Sequence, residues 1–193
     1  MELKHLYASI RVDPQITNLI IRALTECGLP QPNSRLHLTV ITPGKIPWDI
    51  VNLSSLTQAL DMCKQPTTSL MVKLSGLQIL EVPRNCNPPD HKRYAIVAQV
   101  KREDWLSNLY THLYSNLVEL GFEASPNSVT GLPLPHISVG FAPNREQAVE
   151  IREDLIQYGE FWYQSFTPEY LDILMRSSPG DNWTKIFALA LRG

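Results

Sequence analysis

The sequence predicts an α/β fold of two similar halves, in which short strands alternate with amphipathic helices. Three observations favour it. Apolar stretches with strand alternation are separated by stretches with helical periodicity, one short motif occurs twice almost a hundred residues apart, and both copies follow the same order of strand, helix and strand. With 193 residues, 44% of them hydrophobic, the chain can bury a substantial core. We expect a single bilobal domain over residues 1–193.

The first half predicts two strands that alternate with two helices. Asp13 offers a helix N-cap, Pro14 suits the first helical position, and Gly28 is typical of a helix end. The expected elements are a strand at 6–12, a helix ending at Gly28, a strand that carries His37 and closes at 42–44, and a helix at about 49–63.

The second half predicts a similar order. Leucines at three- and four-residue spacing mark a helix that begins near Trp105 and ends at Gly121. Each half also has a strand with a Tyr-Ala pair, Tyr7-Ala8 and Tyr94-Ala95. The other expected elements are one or two strands at 69–82, a strand at 93–101, a strand that carries His136, a helix at about 145–158 and a closing hairpin of strands at 169–176 and 183–191, with loops at 83–91 and 125–135.

The repeated motif reads His37-Leu38-Thr39-Val40 in the first half and His136-Ile137-Ser138-Val139 in the second. Both copies are typical of strands, along which side chains alternate between faces. The imidazole and the hydroxyl therefore share one face in each copy, and the aliphatic residues share the other. Two lobes related by a pseudo-twofold axis would set the histidine strands side by side or opposite each other on one concave surface.

An imidazole beside a hydroxyl, presented twice, suits phosphodiester transfer. The reaction removes a proton from the attacking oxygen and delivers one to the leaving oxygen, and histidine can do both near neutral pH. The hydroxyls would donate hydrogen bonds to the non-bridging phosphate oxygens. Two interpretations stay open beside this one: half-buried structural histidines, and a zinc site, for which no Asp, Glu or Cys stands at a completing distance in the sequence. Neither a nucleophile elbow nor a glycine-rich phosphate loop is present.

These residues resemble the 2H phosphoesterase superfamily, which includes bacterial 2′-5′ RNA ligase-like proteins and cyclic nucleotide phosphodiesterases. The resemblance covers nearly the whole chain: both histidine motifs, the leading strand with its aromatic residue, Gly44 and the closing strand pair. It implies two antiparallel-rich sheets lining a central cleft with helices outside. It also implies metal-independent action, with no cofactor, on 2′,3′-cyclic or 2′-5′ phosphodiesters. His37 and His136 become the acid and base in an order that the sequence does not fix, and Thr39 and Ser138 become the phosphate donors.

The second motif continues with the apolar residues 140–143, where ligase-like relatives often carry a basic residue. We therefore expect a small or cyclic nucleotide substrate, and a viral enzyme that degrades cyclic nucleotide defence signals fits this outline. Two alternatives are an RNA end-processing enzyme, either a 2′,3′-cyclic phosphodiesterase or a 2′-5′ RNA ligase-like enzyme, and a nucleotide-binding module without turnover.

Other residues are candidates for contacts with the substrate. Tyr7 could stack on a base or pack between the lobes, and Trp183 could stack on a base or pack in the core. Arg35 could assist a phosphate or lie in solvent. The run His91-Lys92-Arg93 could form a basic edge beside the cleft or be a solvated loop end.

Composition bounds the partners. A net charge of −2 and an isoelectric point near 6.2 argue against binding to long duplex nucleic acid. The three cysteines, Cys27, Cys63 and Cys86, have no metal-ligand spacing, and free thiols predict a reducing compartment. No stretch approaches membrane-spanning length. We expect a cytoplasmic monomer without a membrane partner.

Overall fold

A computed structural model describes residues 2–32, 36–48, 50–61, 70–82, 90–124, 134–178 and 180–191. Within them, four helices and nine strands are joined by loops and two short 3₁₀ helices, Asp90–Lys92 and Glu160–Tyr163. In chain order the elements are β1 (Glu2–Arg11), α1 (Pro14–Glu26), β2 (His37–Trp48), α2 (Ile50–Asp61), β3 (Val72–Glu81), β4 (Tyr94–Val100), α3 (Asp104–Glu119), β5 (Glu123–Ala124), β6 (His136–Ala142), α4 (Arg145–Gln157), β7 (Ser165–Phe166), β8 (Tyr170–Arg176) and β9 (Thr184–Ala190).

The strands form one sheet in the order β7-β3-β4-β6-β2-β1-β8-β9, with β5 beside β2. Every strand pair in the described residues is antiparallel. The order is symmetric about its centre, because β2 and β6 are flanked by the leading strands β1 and β4, and these by β8 and β3. This confirms the predicted α/β class with an antiparallel-rich sheet. The two expected sheets are continuous, since Leu38 of β2 pairs with Ile137 of β6.

Local signals in the sequence determine the first helix as predicted. The Asp13 carboxylate accepts hydrogen bonds from the backbone N–H groups of Gln15 and Ile16 at 2.7 and 3.4 Å. Pro14 occupies the first turn, where a backbone N–H has no intrahelical acceptor, so the N–H that proline lacks is not missed. Gly28 follows the helix with a φ of 67°, a left-handed conformation that favours glycine.

The helices pack on the sheet through apolar faces. In α3 four leucines at helical spacing are buried, and the strands contribute aliphatic residues to the same core. The buried face of α3 consists of Leu106, Leu109, Leu113 and Leu117.

The predicted helix at 145–158 is confirmed as α4, and the predicted closing hairpin is confirmed as β8 and β9.

The strand that carries His37 does not close at Thr42-Pro43-Gly44, as the sequence predicted, but continues to Trp48. Leu6 pairs with Gly44 and Ala8 with Ile41, so two residues of β2 oppose Tyr7 of β1. This bulge accommodates Pro43, which has no N–H to donate to the ladder.

The stretch at 69–82 is one strand, β3, over the residues described. Most of the two predicted loops lies outside the described residues, which omit 83–89 and 125–133. The two-residue strands β5 and β7 were not predicted. In the part of the chain that the structure describes, no helix is both long and apolar enough to cross a membrane.

Candidate active site

The two histidine motifs lie side by side at the centre of the sheet. Antiparallel pairing of Leu38 with Ile137 sets His37 opposite Ser138 and Thr39 opposite His136. Side chains on one face of an antiparallel pair are about 5 Å apart when directly opposite and about 7 to 8 Å apart on the diagonal, measured between Cβ atoms. The two imidazoles are therefore diagonal neighbours, with a hydroxyl beside each.

The predicted alternation of faces is confirmed by burial. Leu38 and Ile137 are fully buried beneath the motifs. The four polar side chains are half-buried on the opposite face, where a ligand can reach them. They are His37, Thr39, His136 and Ser138.

His136 is oriented by the backbone. Its Nδ1 lies 2.7 Å from the carbonyl oxygen of Leu134. Because a carbonyl only accepts, Nδ1 carries the proton of this hydrogen bond. In the neutral ring Nε2 is then the nitrogen with a lone pair, and in the charged ring it is a donor.

Two cavities meet at His37 and Thr39. The larger has a volume of about 700 Å³ and extends toward β1, β8 and β9. The smaller, of about 440 Å³, extends toward β6 and also contains His136 and Ser138. Both volumes lie within the range of pockets that hold small ligands. The motifs therefore line a cleft that is open on both sides of the histidines.

An aromatic pair forms one wall of the larger cavity. The rings of Tyr7 and Trp183 meet edge to face with centroids 4.5 Å apart, and Tyr7 lies 5.9 Å from the His37 ring. The Arg176 guanidinium covers the Trp183 ring at 4.4 Å. Both aromatic side chains are half-buried, so Trp183 lines the cavity and is not fully enclosed in the core.

A half-buried ion pair lines the same cavity. Arg11 donates three hydrogen bonds to both oxygens of the Asp172 carboxylate, at 2.8, 2.9 and 3.1 Å. Lys185 Nζ lies 3.9 Å from the same carboxylate. Burial raises the pKa of Tyr7, and the negative charge of Asp172 raises it further, so its phenol is a neutral hydrogen-bonding group near neutral pH.

Asp172 and Lys185 line the larger cavity but were not predicted as site residues from the sequence. A signal was present in β8, where Asp172 and Leu174 alternate with the buried Leu171 and Ile173. This alternation predicts that Asp172 leaves the core, but it does not predict that β8 lies beside β1. Only the pairing of Ser9 with Asp172 brings this carboxylate to the cleft.

The predicted basic edge lies at the smaller cavity. His91 and Lys92 are exposed and line it together with His136 and Ser138. The Lys92 ammonium is 5.4 Å from the centroid of the Phe141 ring. Arg35, another predicted contact, lies outside the described residues.

The Tyr-Ala repetition does not give equivalent positions in space. Arg11 pairs with His37 four residues after Tyr7, whereas Gln99 pairs with His136 five residues after Tyr94. An even spacing keeps Tyr7 on the cleft face, and an odd spacing puts Tyr94 on the opposite face. Tyr94 consequently lines a separate cavity beside α4, with Arg145 and Arg152.

The remaining histidines, His5 and His112, and Cys27 lie outside the cleft. His112 is exposed on α3, and His5 is half-buried on β1. Burial lowers the pKa of His5, and the charges of Arg176 and Lys45 lower it further. Cys27 is a free thiol, whereas Cys63 and Cys86 are not among the described residues. Among the described side chains, no cluster of three or more His, Cys, Asp or Glu could hold a metal ion.

The chain has the fold of the 2H phosphoesterase superfamily, as the sequence resemblance implied. Escherichia coli LigT complexed with ATP superimposes with a TM-score of 0.62 at 16% identity over 100% of both chains. A structure described as a phosphoesterase has a TM-score of 0.60 at 17% identity, also over 100% of both chains. Kluyveromyces marxianus Usb1 has a TM-score of 0.54 at 12% identity over 96% of this chain and 97% of its own. LigT has also been solved with 3′-AMP. The sequence matches no protein-family model and no curated protein.

Proposed function

We propose that this chain is a metal-independent phosphodiesterase that cleaves cyclic or 2′-5′-linked bonds in small nucleotides or oligonucleotides. The observation that carries the proposal is the crossing of the two motifs at Leu38 and Ile137. It gives the cleft two imidazoles on a diagonal and a hydroxyl beside each. A phosphate between them would meet two proton-transfer groups and two hydrogen-bond donors.

In this mechanism one imidazole accepts the proton of the attacking hydroxyl or water as its oxygen bonds to phosphorus. The other imidazolium gives a proton to the leaving oxygen as the bond to phosphorus breaks. Thr39 and Ser138 donate hydrogen bonds to the non-bridging oxygens, where negative charge grows in the transition state. The hydrogen bond from His136 to the Leu134 carbonyl holds one ring in place for this transfer.

The larger cavity is the proposed place for a nucleoside. Tyr7 and Trp183 offer aromatic surface for a base, and both lie on the His37 side of the cleft. LigT has been solved with ATP and with 3′-AMP, and both are nucleotides, the class of ligand proposed for this cavity.

RNA end processing is the second candidate function. The exposed His91 and Lys92 at the rim of the smaller cavity favour it, because they could meet the phosphates of a longer strand. Degradation of a cyclic nucleotide defence signal remains a more specific form of the first proposal.

The test is a panel of linear and cyclic nucleotides incubated with the protein, with products resolved by mass and phosphate position. His37→Ala and His136→Ala should each lower kcat by roughly 10²- to 10⁴-fold on every substrate that is turned over. The control is His112→Ala, since this histidine is exposed on α3. Unchanged turnover in both active-site variants would mean that His37 and His136 are not the acid and base. No turnover of any substrate by the wild-type protein would leave the binding-module alternative.

Two further measurements separate the mechanism from its alternatives. Activity should persist in excess chelator, and its loss would revive the zinc interpretation. The rate should follow a bell-shaped pH profile, since one imidazole acts neutral and the other protonated. A flat profile between pH 5 and 8 would contradict the acid–base pair.

A further inference from the structure

A β-bulge follows the second histidine motif and turns an aromatic ring toward solvent. Val97 pairs with Ser138 and Ile96 with Gly140, so Val139 has no residue opposite it. In an unbroken strand, Phe141 would lie on the buried face with Ile137 and Val139. The structure instead buries Val139 and Ala142 and leaves Phe141 44% exposed. Bulges of this kind re-aim a side chain beside a site.

The re-aimed ring lines the smaller cavity next to His136 and Ser138. Lys92 approaches it at 5.4 Å, which combines a positive charge with an aromatic surface. A phenyl group is stabilised by burial, so a bulge that exposes one at the edge of a cleft forgoes that stabilisation. A flat apolar ligand that covers the ring would restore it.

The cleft therefore has aromatic surface on both sides of the histidines. Tyr7 and Trp183 lie in the larger cavity and Phe141 in the smaller, and His37 and Thr39 line both. A phosphate held at the two motifs would have one aromatic wall on each side. A mononucleotide 2′,3′-cyclic phosphate has one base and would occupy only one of them.

We propose that Phe141 and Lys92 form a second nucleoside subsite, which takes the base on the far side of the scissile phosphate. The base stacks on the Phe141 ring, and the Lys92 ammonium attracts a neighbouring phosphate. The substrate class is then two nucleosides joined through the cleaved phosphodiester, in a linear or cyclic dinucleotide or a longer oligonucleotide. This inference rests on the proposed function, because it takes the scissile phosphate to lie at the histidines.

The test compares a 2′-5′-linked adenosine dinucleotide with adenosine 2′,3′-cyclic phosphate. The measured quantity is the ratio of kcat/KM for the dinucleotide to kcat/KM for the cyclic mononucleotide. Phe141→Ala should lower this ratio roughly 5- to 100-fold, the range expected for loss of one base–aromatic stack. Phe141→Tyr is the matched control, since it keeps the ring and should keep most of the ratio. The Lys92 contact is tested with a 2′-5′-linked adenosine trinucleotide, which carries a second phosphate that the dinucleotide lacks. With this substrate Lys92→Gln should lower the ratio severalfold, and less so at high salt.

An unchanged ratio in Phe141→Ala, or an equal fall in Phe141→Tyr, would overturn the subsite. If the wild-type protein cleaves neither compound, the proposed function fails for them, and equilibrium binding tests the subsite independently. The dinucleotide should then bind more tightly than AMP, and Phe141→Ala should remove the difference. Equal affinities in the wild-type protein would overturn the subsite by this route. Circular dichroism of each variant separates these results from unfolding.

Discussion

Leu38 and Ile137 face each other where β2 meets β6, and their pairing determines the positions of four polar side chains on the other face of the sheet. Neither aliphatic residue touches solvent. Their register gives each histidine the hydroxyl residue of the other motif as its cross-strand neighbour. The hydrogen-bonded register of β2 and β6 thus determines the arrangement of the four polar side chains in the candidate site.

Removal of one hydroxyl should slow the chemical step. Thr39→Val and Ser138→Ala each delete a hydroxyl that the proposed mechanism uses as a donor to the phosphate, and kcat should fall about 100-fold in each variant. Thr111→Val is a matched control, since that threonine is exposed on α3 and donates to the Ser107 carbonyl. A rise in KM with unchanged kcat would mean that the hydroxyls serve ground-state binding alone.

Loss of the Arg11 guanidinium should destabilise the protein. Arg11→Met removes three hydrogen bonds from a carboxylate that is 14% exposed and leaves Lys185 as its cation, at 3.9 Å. The free energy of unfolding in urea should fall by about 1 to 3 kcal/mol. Arg22→Met is the control, because the Arg22 pair with Glu26 is exposed and contributes little. Equal losses of unfolding free energy in Arg11→Met and Arg22→Met would contradict a stabilising role for the pair of Arg11 and Asp172.

Gly44→Ala should overpack the contact between β2 and β5. A Cβ at this position would overlap the Phe122 ring and come within 2.5 Å of the Glu123 carbonyl oxygen. Since backbone and a buried ring leave little room to shift, unfolding free energy should fall by about 1 to 3 kcal/mol. Gly180→Ala, with no heavy atom within 4 Å of its Cβ, should be close to neutral. Comparable losses in both variants would mean that the effect is not steric.

His5 should make the fold less stable in mild acid. Burial lowers its folded-state pKa below the ordinary value of 6.5, and the charges of Arg176 and Lys45 add to this. As the pH falls through 6.5, the unfolded chain therefore binds more protons than the folded one, and stability decreases. Between pH 7.5 and 5.0 the wild-type protein should lose more unfolding free energy than His5→Gln. His112→Gln, at an exposed histidine, is the control. If the unfolding free energies of the wild type and His5→Gln changed equally with pH, the lowered pKa of His5 would be contradicted.

Features set by local sequence were predictable. Asp13, Pro14 and Gly28 determine the limits of α1 through hydrogen bonding and backbone conformation within a few residues. The face alternation of the two motifs follows from strand geometry alone, and it correctly separates Leu38 from His37.

Features that depend on a partner strand were not predictable. The bulge at Val139 exists only in relation to β4, so the continuation after Ser138 looked like an ordinary apolar strand. Asp172 reaches the cleft only because β8 pairs with β1, far away in the sequence. Tyr94 is five residues before the partner of His136, whereas Tyr7 is four residues before the partner of His37. This difference of one residue puts the Tyr94 side chain on the other face of the sheet.

The leading strands β1 and β4 each have a further strand on their outer edge, since β8 lies beside β1 and β3 beside β4. A nascent chain on the ribosome that has not yet delivered residues 170–176 already holds both histidines, but the outer edge of β1 is still without its neighbour. The wall made by Tyr7 lacks Trp183 at that stage as well. The complete cleft should thus form only after the β8–β9 hairpin has left the exit tunnel.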